Sequence, residues 1–319
     1  MLVLHPPRRP GPPREPPRPL VALFGVGLLG CAVRDALVGR GYRPRPLALS
    51  WDDGPLQRRQ LDTIAASLGA TLEGSAPGAL GLVWAAGRAG FASSQAETAG
   101  ELESFQRVLA LAESTARSHP EAPVSFHLLS SIGGLFEGRR AIDHDSTPTV
   151  LRPYGDLKLR QEERLLASDA PLERRIYRLT SVFGPTPRGG RRGLIATLIH
   201  NGLRHRVTRI VGRLSTLRDF IWTGDVASYL VADVLERCGQ PRPPIATLAA
   251  GKPASIHELL RLVESTIGRR LYVQFDFGLA NSMDTTVSPS LLPAHWRARS
   301  LGTAVRQLHR AALGAASSG

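Results

Sequence analysis

The chain has 319 residues, with 40 lysines and arginines against 27 acidic residues and a formal net charge of +13. This length allows roughly two domains of ordinary size, or one large α/β domain with an appended lobe. The basic residues are spread along the chain without forming a basic helix or a recognisable binding module, which argues against nucleic acid as a partner. No apolar run approaches the roughly 20 residues of a membrane span, and the cysteines show no disulfide or metal-site spacing. We therefore expect a cytoplasmic protein without a membrane partner or a metal site.

The first 18 residues are rich in proline and arginine and contain little that could be buried. Such a composition predicts a disordered leader over residues 1–18. From Leu20 onward, short apolar runs alternate with helical patterns, which is typical of a parallel sheet with crossover helices. The spacing predicts strands at 20–24, 46–50, 80–85, 124–130 and 174–180, and helices at about 28–40, 55–68, 95–117 and 153–168. The sequence therefore predicts a doubly wound α/β domain over residues 19–184.

The alternation changes from about residue 184, where the stretch GPTPRGGRRG is rich in turn residues. A helix near 193–204, a short strand at 207–211, a helix at 224–237 and further elements up to about residue 313 follow it. We expect residues 185–319 to form a smaller, discontinuous lobe, part of which returns to the sheet of the first domain.

Gly25, Gly27 and Gly30 lie between the first predicted strand and the first predicted helix. Glycines at this spacing permit a tight turn, a close approach of the backbone to a pyrophosphate and close packing of helix on strand. The N-terminus of the helix, here Leu28 and Leu29, presents free N–H groups to the anion. Because the turn joins a strand to a helix at the head of a βαβ series, it predicts a Rossmann-type site for NAD or NADP.

The choice between NAD and NADP depends on the end of the second strand, which we place at Ser50 and Trp51. An acidic residue there accepts hydrogen bonds from the adenosine ribose and repels a 2′-phosphate. Asp52 and Asp53 lie just beyond the position where the family of Rossmann sites places this acidic residue. Arginines at positions 43, 45, 58 and 59 offer positive charge for a 2′-phosphate. The sequence leaves both cofactors open.

Tyr154 and Lys158 lie at the start of the predicted helix that follows Pro153, and their i, i+4 spacing brings both side chains onto one face. A free tyrosine, with a pKa of about 10, is a weak acid–base catalyst at neutral pH, and a neighbouring ammonium favours its phenolate. Ser131 follows the fourth predicted strand, at the edge where open α/β sheets bind ligands, and its hydroxyl can donate a hydrogen bond to a substrate oxygen. Together these side chains predict proton transfer on a hydroxyl or keto group.

From about Leu20 to Leu308 the chain resembles the extended short-chain dehydrogenase/reductases, the NAD-dependent epimerase/dehydratase family. The resemblance implies an NAD(P)-dependent epimerase or ketoreductase of a nucleotide-linked sugar, a homodimer, and a substrate-binding role for the C-terminal lobe. It rests on the order of several motifs, which are the glycine turn, AAG at 85–87, SS at 130–131, PYGDLK at 153–158, RLTSVFGP at 178–185, RDFIWTGDV at 218–226 and GKPASIHEL at 251–259.

The resemblance also implies roles for single residues. Ser131, Tyr154 and Lys158 are implied as the catalytic trio, with Lys158 also holding the nicotinamide ribose. The other implied positions are Ala85, Ala86 and Gly87 beside the cofactor, Ser181 between nicotinamide and substrate, and Arg218 at the diphosphate of a sugar nucleotide.

The chain departs from the family pattern at several positions. Phe24 stands where the family usually has the first glycine of its turn, and Glu101 and Ser181 stand where it commonly has asparagines. Dehydratases of the family carry an Asp-Glu pair immediately after the catalytic hydroxyl residue, whereas Ile132–Gly133 occupy that place here, which disfavours a dehydratase. A non-catalytic NAD(P)-binding redox sensor or scaffold stays the alternative, although such a protein has no need to keep the catalytic trio.

Overall fold

Strands from both halves of the chain form one seven-stranded sheet among the described residues. The protein is described by a computed structural model over residues 1–7, 18–74, 78–187, 189–236, 242–276 and 283–316. In spatial order the strands are β11 (Ile245–Leu248), β6 (Leu172–Leu179), β5 (Val124–Ser131), β4 (Leu80–Trp84), β2 (Leu20–Phe24), β1 (Leu2–His5) and β3 (Arg43–Pro46). Neighbouring strands are parallel except at β1, which runs antiparallel to both β2 and β3. The prediction of a Rossmann-type doubly wound α/β fold is confirmed.

The N-terminal segment joins this sheet, so the prediction of a disordered leader over 1–18 is wrong for β1. Leu2 pairs with Leu23 on one side and with Pro46 on the other, and Val3 and Leu4 are buried. These residues are the one apolar run in a segment otherwise rich in proline and arginine. Pairing with a strand on each side allows the sheet to bury Val3 and Leu4. Residues 8–17 of the predicted leader lie outside the described residues.

The second predicted strand, 46–50, is also wrong in its position, since the structure places β3 at Arg43–Pro46. All four residues are exposed because β3 is the edge of the sheet. Pro44 and Pro46 cannot donate ladder hydrogen bonds and are tolerated at an edge. Leu47 and Leu49 instead pack against the core beyond the strand. The apolar run therefore marks a partly buried loop rather than a strand.

The order of strands reverses between β2 and β4, because the chain leaves β2 towards β3 on one side and returns to β4 on the other. The crevice outside the carboxyl ends of strands at such a reversal is the usual ligand site of open α/β sheets. Ala85 N donates a hydrogen bond of 2.8 Å to Phe24 O, which joins the ends of the two strands. The fold thus brings the glycine turn next to residues 85–87.

Helices cover both faces of the sheet. One face carries α1 (Leu28–Val38) and α7 (Thr223–Glu236), and the other carries α2 (Gly54–Glu73), α3 (Gln95–Ser118) and α5 (Pro153–Leu166). Asp53 caps α2 and Ser94 caps α3 through their side chains, each cap being worth about 1 kcal/mol. Apart from the second strand, the predicted elements of this half are confirmed with small differences at their ends.

The described residues of the C-terminal part build a second, smaller core from three helices and three strand pairs. Residue 237 of the predicted helix at 224–237 lies outside the described residues, and the rest of that helix is α7. Both α7 and β11 return to the central sheet. The elements of the smaller core are α6 (Leu194–Gly202), α8 (Ile256–Ile267), α9 (Leu301–Ala316), β7 (Ser181–Phe183) with β10 (Phe220–Trp222), β8 (Thr208–Val211) with β13 (Val273–Asp276), and β9 (Leu217–Arg218) with β12 (Ala254–Ser255).

Among the described residues no helix is long and apolar enough to cross a membrane.

Candidate active site at the carboxyl edge of the sheet

The glycine turn between β2 and α1 is tightly packed on two sides and open on the third. A Cβ on Gly25 would lie 2.5 Å from the Cα of Ala86, and one on Gly30 would overlap the carbonyl oxygen of Gly25. A Cβ on Gly27, which caps α1, would meet nothing within 4 Å. The space in front of the helix N-terminus is therefore free, and the first N–H groups of the helix, from Leu28 onward, suit a phosphate there.

A cavity of about 310 Å³ lies at the carboxyl ends of β4, β5 and β6 and is here called the smaller cavity. It brings together residues that are far apart in the sequence. Predicted site residues that line it are Leu29, Ala85, Ala86, Gly87, Ser131, Tyr154, Lys158 and Ser181.

Tyr154 and Lys158 lie in the first turns of α5, which begins at Pro153. Lys158 is buried, and its Nζ lies 5.8 Å from the centroid of the half-buried Tyr154 ring. The same Nζ donates a hydrogen bond of 3.0 Å to Gln161 Oε1 and lies 3.6 Å from Glu101 Oε1. The helical spacing therefore places the tyrosine and the ammonium side by side, as the sequence predicted.

Ser131 ends β5 and caps the short helix α4 (Ile132–Leu135). Its Oγ accepts a hydrogen bond of 3.1 Å from Gly134 N, which leaves the hydroxyl proton available to donate. A Cβ on Gly134 would lie only 3.0 Å from Tyr154 Cε1, so the absence of a side chain lets α4 approach the tyrosine ring. Ser131 and Tyr154 thus line one cavity from two elements in close contact.

A larger cavity of about 510 Å³ continues from the smaller one towards the C-terminal lobe. Phe91, Ser131 and Ser181 are among the residues that line both. Arg218 in its wall donates hydrogen bonds to the carbonyl oxygens of Leu217 and Met283. Burial lowers the pKa of Arg218, while the carboxylates of Glu137 and Asp284 act in the opposite direction. Further cationic side chains in the wall are Arg191, Arg192 and Arg209.

The model of the NAD dependent epimerase/dehydratase family matches residues 24–242. The chain belongs to this family. The resemblance found in the sequence is therefore confirmed, and the family's description names NAD as its cofactor. No curated protein sequence matches the chain significantly.

Solved structures of similar fold cover almost the whole chain. UDP-glucose 4-epimerase from Thermus thermophilus, in complex with NAD, is 17% identical over 92% of this chain and 99% of its own, with a TM-score of 0.72. RMD from Pseudomonas aeruginosa, complexed with NADPH, is 17% identical over 91% and 97%, with a TM-score of 0.69. TunA, an NAD dependent-NDP-hexosamine 5,6-dehydratase, is 18% identical over 92% and 97%, with a TM-score of 0.69. This likeness shows the fold, and the different names within it mean that the fold alone does not select a reaction.

Ser50 and Trp51, predicted at the adenosine end, line neither cavity. Ser50 exchanges hydrogen bonds with α2, its N donating to Gln60 Oε1 at 2.6 Å, and Trp51 packs edge-on against Trp84 with ring centroids 5.9 Å apart. Asp52 forms an ion pair of 3.3 Å with Arg88, and both side chains are exposed. The described residues contain no group of three or more His, Cys, Asp or Glu side chains arranged to hold a metal ion.

Three residues near Ser131, Tyr154 and Lys158 had no signal in the sequence. The Phe91 ring lies 5.6 Å from the Tyr154 ring, and the Arg152 guanidinium lies 5.6 Å from the Phe91 ring. Arg152 also binds both oxygens of the buried Glu137, at 2.6 and 2.8 Å. No motif marks these contacts, because they join three separate loops that only the fold brings together.

Proposed function

We propose that this protein is an NAD(P)-dependent epimerase or ketoreductase that acts on a hydroxyl or keto group of a nucleotide-linked sugar. The observation that carries the proposal is the convergence of Ser131, Tyr154 and Lys158 on one cavity, which continues into a second cavity walled by arginines. The smaller cavity offers groups for proton transfer, and the larger cavity offers a site for an anionic substrate. Residues of both halves of the chain contribute to the larger cavity.

The residues of the cofactor side fit a dinucleotide. The open space at Gly27 and the N-terminus of α1 would take the pyrophosphate. The segment Ala85–Gly87 and Lys158 would hold the nicotinamide nucleoside, with Lys158 on its ribose. Asp52 and Arg88, paired with each other at 3.3 Å, carry opposite charges near the predicted adenosine end, and the proposal covers both NAD and NADP.

In the proposed reaction Tyr154 is the acid–base group. As phenolate, its oxygen takes the proton of a sugar hydroxyl while that carbon becomes a keto carbon, and it returns the proton when the keto group is reduced. Ser131 donates its hydroxyl proton in a hydrogen bond to the same sugar oxygen. The Lys158 ammonium lies beside the same ring, with its Nζ 5.8 Å from the ring centroid. A bound nicotinamide accepts the hydride in one direction and supplies it in the other.

The larger cavity supports a nucleotide-linked sugar as the substrate. Arg218 is held in its wall by two carbonyl oxygens, and a guanidinium matches phosphate oxygens with paired hydrogen bonds. Arg191, Arg192 and Arg209 add positive charge at the same cavity. A sugar joined to a nucleoside diphosphate satisfies both this charge and the proton-transfer group at the other end.

The position after Ser131 favours an epimerase or ketoreductase over a dehydratase. Elimination of water from a sugar needs an acid and a base near the carbon that loses the proton. Here Ile132 is buried among apolar side chains and Gly133 has no side chain, so neither offers a carboxylate. The nearest carboxylate of this segment, Glu137, is engaged by Arg152.

The test is mass analysis of the purified protein for bound dinucleotide, followed by turnover of nucleotide sugars by wild type and Tyr154→Phe. We expect Tyr154→Phe to keep dinucleotide binding and to lose about a hundred- to ten-thousand-fold in kcat. The matched control is Tyr272→Phe, at an exposed tyrosine of the C-terminal lobe, which should keep full activity.

Two outcomes separate the reactions. NAD that survives gel filtration favours an epimerase, which does not need to release it, whereas an empty protein that oxidises NADPH with a keto sugar nucleotide favours a reductase. Dinucleotide binding without turnover favours the redox sensor or scaffold. A protein that binds no dinucleotide contradicts all of these functions.

A further inference from the structure

Glu101, on α3, places one buried carboxylate between two parts of the smaller cavity's wall. Its Oε2 accepts hydrogen bonds from the backbone N–H groups of Arg88 and Ala89, at 3.0 and 3.1 Å. Its Oε1 has no hydrogen-bond partner among the described residues and lies 3.6 Å from Lys158 Nζ. The side chains of Glu101 and Lys158 are only 9% and 7% exposed. One carboxylate therefore contacts both the loop after β4 and the lysine of the trio.

The loop after β4, residues 87–91, is shaped around this carboxylate. A Cβ on Gly87 would lie 2.9 Å from Glu101 Oε1, so the glycine leaves the room that the carboxylate occupies. The same loop carries Phe91, whose ring lies 5.6 Å from the Tyr154 ring and which lines both cavities. The position of Phe91 beside the tyrosine therefore depends on a loop that Glu101 holds.

A carboxylate fits these two contacts better than an amide. Glutamine at position 101 would offer one acceptor oxygen, and its NH2 group would face either the Lys158 ammonium or the two backbone N–H donors. Loss of the negative charge would also leave the buried ammonium with Gln161 Oε1, at 3.0 Å, as its polar contact. A buried charge that loses its ionic partner is strongly unfavourable.

We infer that Glu101 is a positioning residue of this active site, which fixes Lys158 and the Phe91 loop against the cofactor side of the smaller cavity. The inference rests on the proposed function, since that function assigns Lys158 to the cofactor. Glu101 acts through Lys158 and the loop, and it is not itself required to touch the substrate.

The first experiment is a double-mutant cycle on dinucleotide affinity, measured by calorimetry with NAD and with NADPH. The proteins are wild type, Glu101→Gln, Lys158→Met and the double variant. We expect each single variant to bind about tenfold more weakly, and the double variant to bind less than about tenfold more weakly than Lys158→Met, because the effects of contacting residues are not additive. Effects that multiply in the double variant would overturn the inference.

The second experiment follows hydrogen exchange of the loop after β4 in the cofactor-free protein. We expect Glu101→Gln to speed exchange at the amides of residues 88 and 89, or to keep their protection while weakening dinucleotide binding, since one amide cannot serve both contacts. Unchanged exchange together with unchanged affinity would overturn the inference. The matched control is Glu103→Gln, which removes the same charge from an exposed position of the same helix and should change neither readout.

A further variant keeps the test decisive if Glu101→Gln does not fold. Glu101→Asp retains the charge on a side chain one methylene shorter, so we expect an affinity between those of wild type and Lys158→Met, and wild-type affinity would count against the inference. Turnover of nucleotide sugars tests the proposed reaction, and it is measured separately from dinucleotide affinity. A wild-type protein that binds dinucleotide and converts no nucleotide sugar contradicts the proposed reaction, while the affinity cycle still tests Glu101.

Discussion

Gly25 and Ala86 lie so close that a Cβ on Gly25 would be 2.5 Å from the Ala86 Cα. Gly25 also has a φ of +92°, which other residues adopt only with strain. We expect Gly25→Ala to lose about 1–3 kcal/mol of stability and to bind dinucleotide at least about tenfold more weakly. The reason is that the glycine turn must move away from Ala86, which follows β4. Thermal unfolding and a fluorescence titration with NADH measure the two effects.

Gly27 provides the contrasting case within the same turn. Its φ is −82° and an added Cβ would meet no atom within 4 Å, so Gly27→Ala should unfold at nearly the wild-type temperature. The methyl group would occupy the space in front of α1, and we expect the dinucleotide Kd to rise. Wild-type affinity in this variant would show that the phosphates do not bind in front of α1.

Ser131 serves two purposes that mutation can separate. Ser131→Ala removes the cap on Gly134 N, which costs about 1 kcal/mol, and also the proposed donor to the sugar oxygen, which we expect to lower kcat by about a hundred- to a thousandfold. Dinucleotide affinity should not change. Ser255→Ala, which removes the side-chain cap of α8, should lose similar stability and keep full activity. Equal activity losses in the two variants would mean that Ser131 acts as a cap alone.

Most of the central sheet could be predicted from the sequence because its strands are buried apolar runs between helical patterns. The strand at Leu20–Phe24 and the helix starting at Leu28 follow directly from the period of the apolar residues. The errors concern the last two strands at one end of the sheet, where β3 is an exposed Arg-Pro repeat and β1 is a short apolar run inside a polar leader. Strand pairing between such distant segments leaves no local pattern to read.

The candidate site also contains residues that the sequence predicts and contacts that it does not. Tyr154 and Lys158 were predictable because helical spacing fixes their shared face, and Ser131 because it follows a buried strand. The contacts of Glu101 were not, since they depend on how α3 packs beside α5 and on the missing Cβ of Gly87. The sequence marked Glu101 only as a departure from the family pattern.

Arg218 offers a test of the substrate side. A guanidinium can bind two phosphate oxygens at once, whereas an ammonium acts as a point charge. We expect Arg218→Lys to raise the KM for a nucleotide sugar by about tenfold, with a smaller change in kcat and none in dinucleotide affinity. Steady-state kinetics measure this, with Arg261→Lys, at an exposed arginine of α8, as the matched control. An unchanged KM would remove Arg218 from the diphosphate site.

His127 is a buried neutral group at the centre of β5. Its Nδ1 lies 2.9 Å from Tyr177 Oη, which donates to Asp233 Oδ2 at 2.8 Å and so accepts from the histidine. Its Nε2 lies 3.0 Å from Ser125 Oγ and accepts from that hydroxyl. Burial, followed by the charges of two nearby arginines, lowers the pKa of His127 to about 3.

This low pKa predicts how stability depends on pH. An unfolded histidine has a pKa of about 6.5, so between about pH 6.5 and 3 the unfolded chain binds a proton that the folded chain excludes. The contribution of His127 to the free energy of unfolding is therefore complete above about pH 6.5 and falls by up to about 1.4 kcal/mol for each pH unit below it. Urea unfolding of wild type and His127→Gln at a series of pH values isolates this slope as the difference between the two curves. The control is His257→Gln, at an exposed histidine, which should keep the wild-type slope. A difference in unfolding free energy between wild type and His127→Gln that stays constant from pH 7 to 4 would contradict the prediction.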